Sequence, residues 1–334
     1  MTTAAKRGGA PQPDGEAPVR VGYNRFAGVR TRVLEAGPAK PGPSRSGLHR
    51  RSRRQQRSVR FVMFHGYCDS ADTWQRLLRE LAAARHSAIA VDLPGFGEAD
   101  PLRPGPILPQ LDAFVAAVVR EQSAYGDVVL VGNSLGGTIS LRAAQRPRLP
   151  VAGVVSIAAP GLSDSWLIRT VRRYPFPLRM YASLPLPIPG ALVRTVADNV
   201  VPLLMYATPR ARDDEDVLRF TALFPDYKST RARLAQARQL AGELTDCYEL
   251  DRIQAPLLVV ACGKDRLVRA DSGKMLHTLV PHSRLLLRED WGHCPQLDHA
   301  PEIQQLVTYF AASCTRAGEE PITKPEAGER SAAS

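Results

Sequence analysis

The sequence predicts an α/β protein with a mostly parallel sheet covered by helices on both faces. Three observations predict it. Apolar, β-branched runs alternate with amphipathic helical stretches along most of the chain. That alternation breaks between about Gly161 and Arg252, where prolines and helical patterns replace it. A glycine-rich turn, Gly132-Asn133-Ser134-Leu135-Gly136-Gly137, stands between an apolar run and a helical one.

The elements follow in order. "VRTRVLEAG" alternates like a half-exposed strand, and "VGYNRFAG" before it can pair with it. "RFVMF" reads as a short buried strand, followed by an amphipathic helix at "ADTWQRLLRELAAA". "SAIAVDLPG" is a strand and turn, and "PQLDAFVAAVVREQ" is a helix with Pro109 near its start. "VVLVG" is a strand, "SLGGTISLRAAQR" a helix and "VAGVVSIAA" another strand. After the break come the strand "APLLVVACG", the helix "ADSGKMLHTLV", the strand "SRLLLRE" and a last helix, "APEIQQLVTYFAASC". Continuous apolar strands separated by helices imply parallel pairing, with both sheet faces buried. The expected organisation is a disordered N-terminus over 1–18, a first core part over 19–160 carrying a basic insertion over 38–58, and a helical cap over 161–252. A second core part over 253–314 and a disordered polar tail over 315–334 complete it. Within the cap, "ALVRTVADNVVPLLMYA", "RDDEDVLRFTALF" and "STRARLAQARQLAGEL" are helical. A cap placed there would roof the carboxyl edge of the sheet, where open α/β sheets bind ligands.

The net charge of +11 resembles a nucleic-acid footprint until it is mapped. Eight basic residues, Lys40, Arg45, Arg50, Arg51, Arg53, Arg54, Arg57 and Arg60, fall between Ala36 and Arg60 with no acid among them. A nucleic-acid-binding domain spreads its excess over a folded face. Here the excess sits in a Pro/Gly/Ser-rich stretch without hydrophobic period, so no nucleic-acid partner is expected. The stretch is either a solvated loop or, through residues 45–60, a weak tether to an anionic surface. Five scattered cysteines, Cys68, Cys247, Cys262, Cys294 and Cys314, have no C-x-x-C spacing, so neither a disulfide framework nor a metal site is expected. The first residues carry no apolar leader, and no run of 18 apolar residues occurs. The expectation is a cytoplasmic protein.

The glycine-rich turn admits two chemistries. A phosphate loop needs a lysine after its last glycine, and none follows here. A dinucleotide fingerprint needs G-x-G-x-x-G in the first βαβ unit, and these glycines have another spacing and come late. The turn does fit G-x-S-x-G, in which a serine on a sharp strand-to-helix turn projects its hydroxyl, with glycines two residues away to avoid collision. Such a serine needs a base, and the base an acid to orient it, in the chain order Ser, Asp/Glu, His. His293, in the loop after the last strand, has the right place, in preference to His299 at the start of the final helix. Asp265 ends the preceding strand, with Asp164 as the fallback acid. The oxyanion would be met by the backbone N–H of Leu135, directly after the serine, and of Tyr67 in the loop after "RFVMF", where Gly66 permits a close approach. His65 reads as a turn-packing residue rather than a catalytic one, and "DLPGFG" (Asp92 to Gly97) as structural.

Taken together, His65-Gly66, Asp92 to Gly97, Gly132 to Gly137, Gly263-Lys264-Asp265 and Gly292-His293 occur in the order of the α/β-hydrolase superfamily, which the chain resembles from about Val21 to Ala312. The resemblance implies an eight-stranded, mostly parallel sheet with a helical cap inserted after strand six. It also implies Ser134 as nucleophile, Asp265 as acid and His293 as base, with no metal or cofactor. Serine at the elbow argues against the branches that use a carboxylate nucleophile. The elbow and the spacing around His293 are similar to those of the meta-cleavage-product hydrolases, but those enzymes usually carry Trp after the catalytic His, where this chain has Cys294. A carboxylic ester hydrolase of the esterase/lipase type is therefore expected, with C–C bond hydrolysis or acyl transfer on the same triad as the alternative. The apolar, Pro-rich cap residues Trp166, Phe176, Leu184, Leu186 and Ile188 point to a small-molecule ester with an apolar acyl or alcohol part. For any one of them, simple packing on the sheet explains the residue equally well.

Overall fold

In the computed structural model, the described residues are 19–38, 58–163 and 189–317. Eight strands form one sheet: β1 (Arg20–Phe26), β2 (Val29–Ala36), β3 (Val59–Phe64), β4 (Ser87–Val91), β5 (Asp127–Asn133), β6 (Val151–Ile157), β7 (Leu257–Cys262) and β8 (Arg284–Arg288). Their order is β1-β2-β4-β3-β5-β6-β7-β8, with β2 antiparallel to both β1 and β4 and every other pair parallel. The chain reverses direction across the sheet at β3. It leaves β3 for β4 on one side and returns to β5 on the other, so the carboxyl ends of β3 and β5 are neighbours. A crevice opens at such a switch point, and the turns after β3 and β5 both face it.

Residue alternation along the strands builds two cores. Val62 and Phe64 of β3 and Val128 and Leu130 of β5 join one cluster, with Phe114 and Val118 of α2 (Ile107–Gln122) and Ile139 of α3 (Leu135–Ala144). Phe61, Met63, Val129 and Val131 point the other way. They meet Leu77, Leu78 and Leu81 of α1 (Gln75–Ala83) and Ile303, Val307 and Phe310 of the final helix, Ala300–Ala317. Both faces are dry, which is why these strands read as unbroken apolar runs.

Among the described residues, three α-helices stand between β6 and β7: α4 (Gly190–Met205), α5 (Asp214–Thr221) and α6 (Tyr227–Glu243). They are followed by α7 (Ala270–Leu279), a short α8 (Pro295–Asp298) and α9 (Ala300–Ala317). Helix α6 is fastened to the core through Glu243, whose carboxylate accepts from Ile107 N at 2.9 Å and Leu108 N at 2.8 Å. Pro106 offers α2 no side-chain cap, so an acid from the inserted helices satisfies its first N–H groups and its dipole.

Three readings of the sequence meet the structure differently. Arg60, counted above with the basic loop, is the second residue of β3 and buried. Its guanidinium donates to Glu35 Oε1 at 2.8 Å and Gln122 Oε1 at 2.9 Å. It is therefore committed to an internal ion pair and cannot serve an anionic surface. The rest of that insertion over 39–57 lies outside the described residues, as do Asp164, Trp166, Phe176, Leu184, Leu186 and Ile188. The helix expected from Ala71 begins as a single tight turn, Ala71–Trp74, and becomes α-helical only at Gln75.

Asp92 of the "DLPGFG" turn is the hub of the crevice's outer wall. It is fully buried and accepts from Arg32 Nε at 3.0 Å, Ala71 N at 2.7 Å and Glu98 N at 2.8 Å. Arg32 also reaches Asp72 at 2.5 Å. Burial opposes ionisation of Asp72, but its bonds from Arg32, Ser70 and Gln75 outweigh burial and hold the carboxyl below its ordinary range. A depressed folded pKa contributes stability above the unfolded value of about 3.9, and that stability is lost as pH falls through the folded value. Replacing Arg32 with Met is expected to cost about 3–5 kcal/mol at neutral pH, because the Asp92 carboxylate is left buried without its cation. The Asp72 share of the pH dependence should shrink with it, because only the bonds from Ser70 and Gln75 then oppose burial. Urea unfolding from about pH 3 to pH 7 checks both, as a lower stability and a flatter acid limb.

Candidate active site

The elbow is built at the end of β5. Ser134 stands at φ 54° and ψ −118°, a conformation that costs an L residue on the order of 1–3 kcal/mol and is kept only where its surroundings enforce it. Its own N–H is held by Ile157 O of β6 at 2.9 Å, and its carbonyl accepts from Thr138 N at 3.0 Å, starting α3. The flanking glycines let backbones close in. A Cβ on Gly132 would lie 2.2 Å from Gly136 O, and one on Gly136 would lie 2.0 Å from Phe64 O of β3. Gly132 thus makes room for the elbow's own return, whereas Gly136 makes room for the neighbouring strand.

The turn after β3 passes beside the serine, and a Cβ on Gly66 would sit 3.4 Å from Ser134 Cβ. His65 holds this turn from beneath. It is fully buried; its Nε2 accepts from Leu93 N at 2.9 Å, which leaves Nδ1 protonated and donating to Gly66 O at 2.7 Å. Both ring nitrogens are therefore engaged in shaping the turn. Tyr67 sends its hydroxyl to Arg233 O of α6 at 2.5 Å, and its ring packs edge-on to Phe96. Burial drives its phenol well above the ordinary range, so it stays neutral. Cys68, at φ 53°, completes the bend, and burial raises its thiol to about 12. The N–H groups of Tyr67 and Leu135 have no protein acceptor among the described residues.

Asp265 and His293 arrive from the turns after β7 and β8. His293 Nδ1 lies 2.7 Å from Asp265 Oδ2, and both side chains are almost fully buried. The other carboxylate oxygen accepts from Leu267 N at 2.7 Å and Val268 N at 2.8 Å, so the carboxylate cannot rotate away. A carboxylate at Nδ1 selects the tautomer with the proton on Nδ1 and leaves Nε2 as a proton acceptor. Gly292 has a steric reason. A Cβ there would lie 2.3 Å from Ala207 N, so glycine lets the histidine loop pass against the chain that leaves α4. His299 is elsewhere, stacked on Trp291 with centroids 5.0 Å apart and 3.7 Å from Glu302.

Two features of the site were invisible in the spacing of motifs. Asn133, fully buried next to the serine, donates Nδ2 to His293 O at 2.8 Å, and its Oδ1 accepts from Gln296 Nε2 at 3.3 Å and faces Cys294 Sγ at 3.6 Å. One amide thus clamps the elbow to the histidine loop. Asn133→Ala is expected to lower stability by about 1–3 kcal/mol through the unpaired His293 carbonyl. It should lower kcat by about 10²-fold through misplacement of the imidazole; melting curves and steady-state kinetics on one preparation check it. The second feature is a buried ion pair, Arg219 Nη1 of α5 to Asp69 Oδ1 at 2.6 Å, which fastens the inserted helices to the loop that carries Tyr67. A pair this buried specifies position more than it stabilises.

A sharp serine turn, two carboxyl-edge loops that deliver an acid and a histidine, and helices inserted after β6 are the parts of an α/β hydrolase. The chain belongs to the alpha/beta hydrolase fold family, whose model matches residues 59–300. Among curated relatives, the pimeloyl-[acyl-carrier protein] methyl ester esterase of Neisseria meningitidis is 26% identical over 267 residues, covering 78% of this chain and 97% of the relative. An uncharacterized protein of Mycobacterium tuberculosis is 28% identical over 264 residues, covering 75% and 74%. Among solved structures, a membrane phospholipase A described as a bacterial virulence factor matches with a TM-score of 0.66 and 20% identity, over 89% of this chain and 86% of that one. The meta-cleavage product hydrolase of Pseudomonas fluorescens matches with a TM-score of 0.65 and 18% identity, over 88% and 98%. These structural likenesses speak for the fold. Among the described residues, no helix is long and apolar enough to cross a membrane.

Proposed function

We propose that this chain is a serine hydrolase of carboxylic esters with an apolar acyl or alcohol part, acting through Ser134, His293 and Asp265. The observation that carries the reading is the 2.7 Å contact of His293 Nδ1 with Asp265 Oδ2, in a site whose serine is held at φ 54°. The esterase among the sequence relatives supports the reaction class. His293 Nε2 takes the Ser134 proton as Oγ attacks the ester carbonyl. The Leu135 and Tyr67 N–H groups receive the developing oxyanion, as such donors do most effectively where they need not reorganise. The tetrahedral intermediate collapses as His293 gives its proton to the leaving alkoxide, leaving an acyl-serine. Water, deprotonated by the same imidazole, then releases the acid and restores Ser134. No metal or cofactor is called on, and the partner is a small molecule rather than a nucleic acid.

Carbon–carbon hydrolysis is the weaker reading. Cys294, where the meta-cleavage enzymes usually have Trp, is buried against Asn133 and Met205. Short p-nitrophenyl esters test the proposal: a burst of p-nitrophenolate stoichiometric with enzyme, followed by slower turnover, is expected. Turnover of a vinylogous diketo acid with no turnover of any ester would replace it with C–C hydrolysis, and product that partitions to an added alcohol in preference to water would replace it with acyl transfer.

A further inference from the structure

Helix α4 exposes what helices usually bury. Leu192 and Val196 are each 55% exposed and Val200 is 42% exposed. With Val193, Ala197, Val201 and Leu204 they recur at helical spacing on one face, which forms the wall of a cavity of about 480 Å³. Phe224 and, from α6, Leu234 and Thr230 close the opposite side, and among the described residues Thr230 is the only polar one in the lining. Such a surface offers hydrocarbon contact and nothing for a charged or hydrogen-bonding ligand.

One end of this groove borders the packing around the histidine loop. Val201 packs against the buried cluster that contains Cys294, the residue after His293, and Met205 O at the end of α4 accepts from Cys294 N at 3.1 Å. From Leu192 to Val201 the helix rises about 14 Å, against about 15 Å for the hydrocarbon depth of one bilayer leaflet. An acyl chain of membrane-lipid length therefore matches the groove end to end.

We infer that the groove between α4 and α6 binds the single long hydrocarbon chain of the substrate, with the ester carbonyl at its inner end near Val201 and the chain terminus toward Leu192. The catalytic half of this inference rests on the esterase proposal; the binding half does not. Two measurements keep them apart. One is kcat/KM for p-nitrophenyl esters from acetate to dodecanoate. The other is the fluorescence of dansyl-undecanoic acid, titrated into the full chain. Both are made on the wild type, Val196→Glu, Val200→Glu and Val200→Leu, at positions exposed enough to accept a carboxylate without unfolding, which urea melts confirm.

In the wild type, kcat/KM should rise roughly two- to fourfold per added methylene. Each glutamate variant should lose roughly 30-fold on the dodecanoate, measured relative to the acetate ester, and on the dansyl probe, whereas Val200→Leu should keep the wild-type values. If no ester turns over but the probe binds the wild type and not the glutamate variants, the chain site stands and the esterase proposal falls. If the glutamate variants keep the wild-type chain-length profile and probe affinity, the inference is overturned. It is likewise overturned if their only effect is to convert a dimer to a monomer, which makes the groove a face between two copies of this chain.

Discussion

Alanine at Ser134 is expected to lower kcat by about 10⁴–10⁶-fold while leaving KM and the fold intact. The loss is large because the covalent route disappears: His293 retains its position against Asp265, but the group it would deprotonate is gone. A milder companion variant isolates the backbone contribution. Ser134→Gly should be equally inactive yet more stable than Ser134→Ala by about 1 kcal/mol, since glycine accepts φ 54° without strain, partly offset by its greater freedom when unfolded. Steady-state kinetics and urea unfolding of the two variants give the comparison. Equal stability would mean that the elbow is not held in a strained conformation.

Asp265→Asn is the second large effect, expected at about 10⁴-fold in kcat with little change in stability. The physical reason lies in the second carboxylate oxygen. Leu267 N and Val268 N both donate to Oδ1, so in the variant the amide oxygen must stay there and the amide NH₂ must face His293. An N–H aimed at Nδ1 forces the imidazole proton onto Nε2, the nitrogen that has to accept the serine proton. The variant imidazole is well placed and in the wrong tautomer. Kinetics give the loss, and the imidazole ¹⁵N chemical shifts of wild type and variant report the change of tautomer. A variant that keeps wild-type kcat would remove Asp265 from the reaction.

How much of this was legible from residue order follows from the range of each interaction. The elbow was readable because a strained serine imposes glycines two positions away, a constraint written within six residues from Gly132 to Gly137. The strands were readable because a sheet buried on both faces leaves long apolar runs, and the antiparallel β1–β2 pair showed as alternation. Asp265 and His293 could be placed because chain order in a doubly wound sheet fixes which loops reach the carboxyl edge. Asn133 was in plain view and still unread, because its role depends on a carbonyl 160 residues away. The same holds for Arg219 on Asp69 and for Glu243 on the N-terminus of α2, whose partners are set by how the inserted helices settle on the core. Arg60 was misplaced for the complementary reason. Composition assigned it to its basic neighbours, whereas β3 captures it and the half-buried Glu35 matches it.

The central claim is that Ser134 is the activated nucleophile, and one measurement addresses it without knowledge of the substrate. The wild-type chain is treated with a fluorophosphonate probe at neutral pH, digested, and mapped by mass spectrometry. A single adduct on Ser134, absent from Ser134→Ala and slowed by several orders of magnitude in Asp265→Asn, is the predicted result. No adduct on the folded wild type, or labelling that persists in Ser134→Ala, would contradict the account.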